Sequence, residues 1–233
     1  MKYIYFILFS IIEYFSIFLL GVYLFRIKLN LARVKKILLS SLLLSSFSLI
    51  LTIFDLTSIA PFLQILIYTL LLKASLEREW SHATLVSITS YVFYGLIQIS
   101  LIKILTFAQI VSVSDIAAFT FKGYLIQLIC FFIIVATVFT LKITNEGYSF
   151  DLDEPFGLIK KYTKKFILFI IILIFLVSTG AFVLYSVEKY NGYVFNLMFT
   201  VLLFSTGTLL YFAYKRDLEE NEEGGNIDEK ISG

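Results

Sequence analysis

The residues able to do chemistry in this chain are few and scattered. Its single His and single Trp stand together in SLEREWSHATL, residues 75–85, as His82 and Trp80. A histidine can act as general base, metal ligand or pH sensor. No Cys, Ser or carboxylate pattern of matching spacing accompanies this one. The plainer expectation is a solvated or interfacial turn, with Trp80 as an interfacial anchor and Ser81 capping the next helix. The lone Cys130 excludes an intrachain disulfide, and one Cys with one His cannot complete a structural zinc site without carboxylates. Cys130 lies in the apolar run LIQLICFFII and reads as a small buried hydrophobe. DLDE, residues 151–154, gathers carboxylates, but it lacks calcium-loop spacing and an internal Gly. Walker A, HExxH and G-x-S-x-G motifs are absent from the sequence. The expectation is therefore a protein without enzymatic activity, with no catalytic residues, no metal and no cofactor.

One ionisable residue stands apart. Glu13 falls near the centre of an apolar run, where a charge costs roughly 2.5–3.5 kcal/mol on insertion scales. Such a residue either fixes helix packing or couples a ligand or signal. Lys103 and Gln98 are the partners weighed for it. Glu13 lies about ten residues, or roughly 15 Å, below one membrane face. Lys103 lies about four residues below the same face and would have to stretch, or would snorkel outward. Gln98 matches the depth of Glu13 better. Gln64, Gln109, Gln127 and Asn196 are further sources of interhelical hydrogen bonds.

The elements that hold these residues follow from composition. The 233 residues are 59% hydrophobic and 18% aromatic, and only 15% are charged. A water-soluble domain usually carries about 25% charge. Continuous apolar runs of about 20 residues suit helices crossing a 30 Å hydrocarbon slab, and they lack the alternation of barrel strands. Seven spans can be drawn: Tyr3–Phe25, Ile37–Phe54, Ile59–Leu76, Ala83–Phe107, Ala117–Leu141, Phe166–Val187 and Tyr193–Tyr214. The first is too long for a signal-peptide core and is read as retained. The second and third are joined only by DLTS, and a re-entrant hairpin is the alternative there. The fold class expected is all-α: a polytopic membrane helical bundle over residues 1–214, followed by a disordered acidic cytoplasmic tail over 215–233.

Charge distribution sets the orientation. With the N-terminus outside, 15 of the 19 basic residues fall in cytoplasmic segments. Lys2, Lys103, Lys122 and Lys189 are the exceptions. This split favours N-out, C-in, and with it an odd number of spans. Lys160, Lys161, Lys164 and Lys165, in KKYTKK beside the sixth span, are placed to contact anionic lipid headgroups. Every basic cluster adjoins a span, so nucleic acid is not an expected partner. Span six holds Ser178, Thr179, Gly180 and Ala181, and span seven holds Thr206, Gly207 and Thr208; both small-residue patches permit close helix approach.

Three stretches carry a resemblance. They are FSIIEYFSIFLLGVYLFRIKLN, with its acid and basic exit; PFLQILIYTLLLKASLEREWSHATLVSITSYVFYGLIQ; and the final exit LLYFAYKRDLEE. Over about residues 1–216 this pattern resembles the membrane sensor half of AgrC-like peptide-pheromone histidine kinases of Gram-positive bacteria. Such sensors have six or seven helices ending in the cytoplasm, followed by a phospho-accepting His and an ATP-binding domain. Here about twenty residues follow the seventh span, with neither feature. The resemblance implies a stand-alone or truncated sensor in the bacterial cytoplasmic membrane that phosphorylates nothing. It would take a peptide ligand or a lipid-phase signal at its outer helix ends and act on a cytoplasmic partner or as a homodimer. The alternative is a bacteriocin-immunity or transporter-accessory protein. A transporter proper is disfavoured by the odd span count, the lone central acid and the lack of repeat symmetry.

Overall fold

The computed structural model describes residues 1–56, 59–76, 80–116, 118–144 and 147, with helical positions at 200, 201, 203, 204, 207, 208 and 211. Five long helices follow one another: α1 (Lys2–Leu24), α2 (Leu31–Ile53), α3 (Ala60–Leu76), α4 (Trp80–Phe107) and α5 (Phe121–Thr144). A short 3-10 turn, Val113–Ile116, lies between α4 and α5. No strand occurs among the described residues. Four of the helices, α1, α2, α4 from His82 onward, and α5, are long and apolar enough to cross a membrane. The fifth, α3, has 17 residues and reaches only about 26 Å.

Three helix starts differ from those expected. Helix α2 begins at Leu31, six residues before Ile37, because Asn30 caps it: its side chain accepts the Arg33 N–H at 2.8 Å. Arg33, Lys35 and Lys36 therefore ride on its first turns. Helix α4 begins at Trp80, three residues early, and α5 at Phe121, four residues late. The expected sixth span, most of the seventh, the four-lysine cluster 160–165 and the tail lie outside the described residues.

The bundle is organised around α1. It packs against α2, α4 and α5, while α2 meets α3, α3 meets α4 and α4 meets α5. The other helices thus wrap the first in chain order. Ile17, Phe18, Leu20 and Val22 are almost entirely inaccessible. Helix α1 comes close to α4 at Gly21. A Cβ there would sit 3.0 Å from Val86 Cγ1 and 3.2 Å from Ser90 Cβ, so a side chain at this position would press on α4 and force its neighbours to give way.

Helix α2 shows the logic of the packing. Its buried positions are Ile37, Ser40, Ser41, Leu44, Ser45, Ser48 and Leu51, spaced at three and four residues. Its opposite face exposes Leu38, Leu39, Leu42, Leu43, Ile50 and Ile53. Four of the five serines face protein, while Leu38, Leu39, Leu42 and Leu43 face outward. That is reversed from a soluble helix, and it suits lipid, whose tails offer leucine nothing less than a protein core does. The inward serines are used: Ser40 Oγ lies 2.8 Å from Ser75 Oγ of α3, and Ser45 Oγ donates to the Ile7 carbonyl of α1 at 3.0 Å.

Candidate functional site

Polar side chains of the bundle gather around the middle of α1. Glu13 is the centre of one group. Its Oε1 accepts the Tyr94 hydroxyl of α4 at 2.6 Å, and its Oε2 accepts the Gln127 amide Nε2 of α5 at 2.7 Å. One carboxylate therefore ties three helices together. Each carboxylate oxygen has a neutral donor, which lowers the cost of holding an acid at this depth. The α1 backbone is involved as well, because Ser16 Oγ donates to the Glu13 carbonyl at 2.6 Å.

A second group lies on the α2–α3 side. Gln64 Nε2 donates to Ser48 Oγ at 3.1 Å, and Gln64 Oε1 accepts the Tyr91 hydroxyl at 2.8 Å. Tyr68 is fully buried with its ring 4.5 Å from that of Phe18. Its hydroxyl pairs with Ser90 Oγ at 2.9 Å and reaches the Ile17 carbonyl at 3.3 Å. Thr69 Oγ1 meets Ser87 Oγ at 2.6 Å. Glutamine, tyrosine and serine are the side chains that can bond across helices without carrying charge into hydrocarbon.

The partners of Glu13 are thus Tyr94 and Gln127, neither Gln98 nor Lys103. Gln98 sits one turn beyond Tyr94 on α4 and lines a small cleft beside Gln127. Lys103, partly buried further along α4, makes an interaction of its own. Depth alone pointed to Gln98. The choice of Tyr94 rests on side-chain length, since a tyrosine hydroxyl reaches a full turn beyond its own backbone. Gln127 was legible only as one of several polar residues in spans.

The expectation of a solvated His82 is corrected. His82 is 1% exposed and lies in the first turn of α4, because that helix starts before it. Trp80 is 53% exposed, and Lys73 Nζ of α3 lies 3.9 Å from its ring centroid. A cation–π contact thus joins the end of α3 to the start of α4, while the histidine turns inward. Cys130 is fully buried and free, as its apolar surroundings suggest.

The cleft lies where α5 begins. Phe6, Gln98, Phe119, Thr120, Tyr124 and Gln127 are among its walls, and about 400 Å³ of empty space lies inside it, counting the open side. Beside it, the segment joining α4 to α5 is held by Asp115. Its carboxylate accepts Lys122 Nζ at 2.8 Å, the Ser112 N–H at 2.9 Å and Ser112 Oγ at 2.8 Å. Lys122 first, then the Ser112 backbone and hydroxyl, hold its pKa down at about 2. No cluster of three or more His, Cys, Asp or Glu side chains suited to a metal occurs among the described residues.

No protein-family model, no curated protein and no solved structure matches this chain.

Proposed function

We propose that this chain is a non-enzymatic, sensor-type protein of a bacterial cytoplasmic membrane. In this reading it has seven spans, its N-terminus outside and its C-terminus inside. It detects an extracellular peptide or lipid-phase signal and passes a helix movement to a cytoplasmic partner, with a homodimer as the natural receptor form. The observation that supports it is the Glu13 hydrogen-bond junction. A single carboxylate joining α1, α4 and α5 couples any displacement of one helix to the other two. The resemblance to pheromone-kinase sensor halves and the 15-to-4 division of basic residues point the same way.

Two experiments test it. Reporters fused after Ser114 and after Tyr148 should report outside and inside respectively; the reverse result removes the orientation. The signalling reading is tested by transcript profiling of cells given spent medium, with the native chain and with Glu13→Gln. The native chain should respond, and the variant should insert normally but respond less. Unchanged transcription in cells lacking the gene, together with new sensitivity to a toxin or a transport defect, would support the immunity or accessory reading instead.

A further inference from the structure

The connection from α4 to α5 is more apolar on its outside than a loop in water needs to be. Phe107, at the end of α4, is 92% exposed, and Phe121, at the start of α5, is 74% exposed. Ile104 and Ile110, three residues to either side of Phe107, are exposed as well. Lys122 Nζ donates to the Ile110 carbonyl at 3.3 Å and holds the connection beside the first turn of α5. Exposed apolar surface of this kind marks a contact with protein or membrane, and depth decides between them. Phe121 heads a stripe of exposed side chains on one face of α5, with Leu125, Phe132, Phe139 and Ile143 below it. From Phe121 to Ile143 the stripe rises about 33 Å, and the hydrocarbon core of a bilayer is about 30 Å thick. Phe121 therefore stands at the edge of that core, with the connection beside it. Helix α4 agrees: from Trp80, itself exposed, to Phe107 it rises about 40 Å, the thickness of a bilayer with its headgroup layers. The main chain agrees too. The N–H groups of Ala108, Gln109, Ile110 and Val111 donate to carbonyls of Ile104, Leu105 and Thr106, and the Ser112 N–H donates to the Asp115 carboxylate at 2.9 Å. A connection in water has no need to pair every successive donor within the protein, whereas one at the edge of hydrocarbon does.

We infer that the connection between α4 and α5 is a lipid-anchoring surface: Phe107, Ile110 and Phe121 are seated among the phospholipids of the nearer leaflet, at the boundary between acyl chains and headgroups. The inference rests on the reading that these helices cross a bilayer, and it does not depend on the signalling reading or on which side the N-terminus lies. The Asp115–Lys122 pair, at 2.8 Å, brings no net charge into that boundary, and the headgroup layer is wet enough to hydrate it. The connection thus belongs to the membrane surface and not to the water beyond it.

The test uses the full chain in phosphatidylcholine vesicles and its own scarcity of tryptophan. Trp80→Phe removes the single indole of the chain, and Phe107→Trp then supplies the only one. Phe121→Trp reads the same layer from α5, and Phe132→Trp, at the middle of the exposed stripe, reports whether that helix crosses. The quenchers are phosphatidylcholine brominated close to the glycerol, phosphatidylcholine brominated far down the acyl chain, and iodide in the water. Phe107→Trp and Phe121→Trp should lose more fluorescence to the shallow bromine than to the deep one, and little to iodide. Phe132→Trp should lose most to the deep bromine. If iodide quenches Phe107→Trp and neither lipid does, while Phe132→Trp still answers the deep bromine, the helix crosses and the anchoring inference is overturned by itself. Shielding of Phe107→Trp from all three quenchers assigns the patch to a protein contact, such as a second copy of the chain, and likewise overturns it. If Phe132→Trp answers neither lipid, the reading that α5 crosses a bilayer fails, and the anchor with it.

Discussion

Glu13 and Asp115 are both carboxylates held by hydrogen bonds, yet they are built differently. The partners of Asp115 lie three and seven residues away and include a lysine. Those of Glu13 lie 81 and 114 residues away and are neutral. Asp115 stands among exposed loop residues, where water screens an ion pair and side chains find one another locally. Glu13 stands within an apolar helix, where there is no water to hold a carboxylate and the protein must bring donors to it. The difference shows where each carboxylate matters. Asp115 shapes one connection, whereas Glu13 fixes how three helices meet.

The largest effect should come from separating the helices that serve Glu13. Gly21→Leu places a side chain where Val86 and Ser90 already stand. It should cost about 3 kcal/mol as overpacking between α1 and α4, read as a lower melting temperature in detergent. Next, Glu13→Ala strands the Tyr94 hydroxyl and the Gln127 amide. A loss of about 2 kcal/mol is expected, while Asp115→Ala should leave the melting temperature unchanged. Equal losses from the two alanine variants would erase the contrast between the carboxylates.

Smaller effects sharpen the comparison. Tyr94→Phe removes one neutral donor and keeps the ring. It should cost about 0.6 kcal/mol, because in a membrane the alternative states also find hydrogen-bond partners. A much larger loss would mean that the junction acts as one unit, which the double variant with Gln127→Leu would measure. The smallest effect is local and depends on pH. The folded Asp115 pKa is about 2, below the ordinary 3.8, so its tether should be intact above pH 3.8 and lost as pH falls through about 2. The Ser112 amide resonance should follow that titration while signals from α1 stay still.

Much of the described fold is legible in the sequence. The ends of α1 and α3 lie within a residue of those drawn from apolar runs, because the length of a run reflects the solvent that surrounds it. Helix α2 was drawn six residues short because its basic first turns look like a loop, although Asn30 is a good capping residue. His82 was misjudged for a related reason. The charged residues before it marked a turn, but α4 takes up the chain at Trp80 and carries the imidazole inside. In each case the helix extends past the apolar segment, since polar residues can occupy helical turns at the membrane surface.

The sequence alone determined that this chain makes long apolar helices and that Glu13 lies deep within one of them, because both facts depend only on local composition and chain length. It also marked Gln64, Gln98, Gln109, Gln127 and Asn196 as side chains able to bond between helices, of which Gln64 and Gln127 do so among the described residues. Only the tertiary structure decided that α1 is the central helix, that α2 turns its serines inward, and that Tyr94 and Gln127 hold Glu13. The physical reason is that in an apolar solvent all faces of a helix look alike to hydropathy. What selects one face is close approach and hydrogen-bond reach between helices distant in sequence, and neither is written in the periodicity of any single segment.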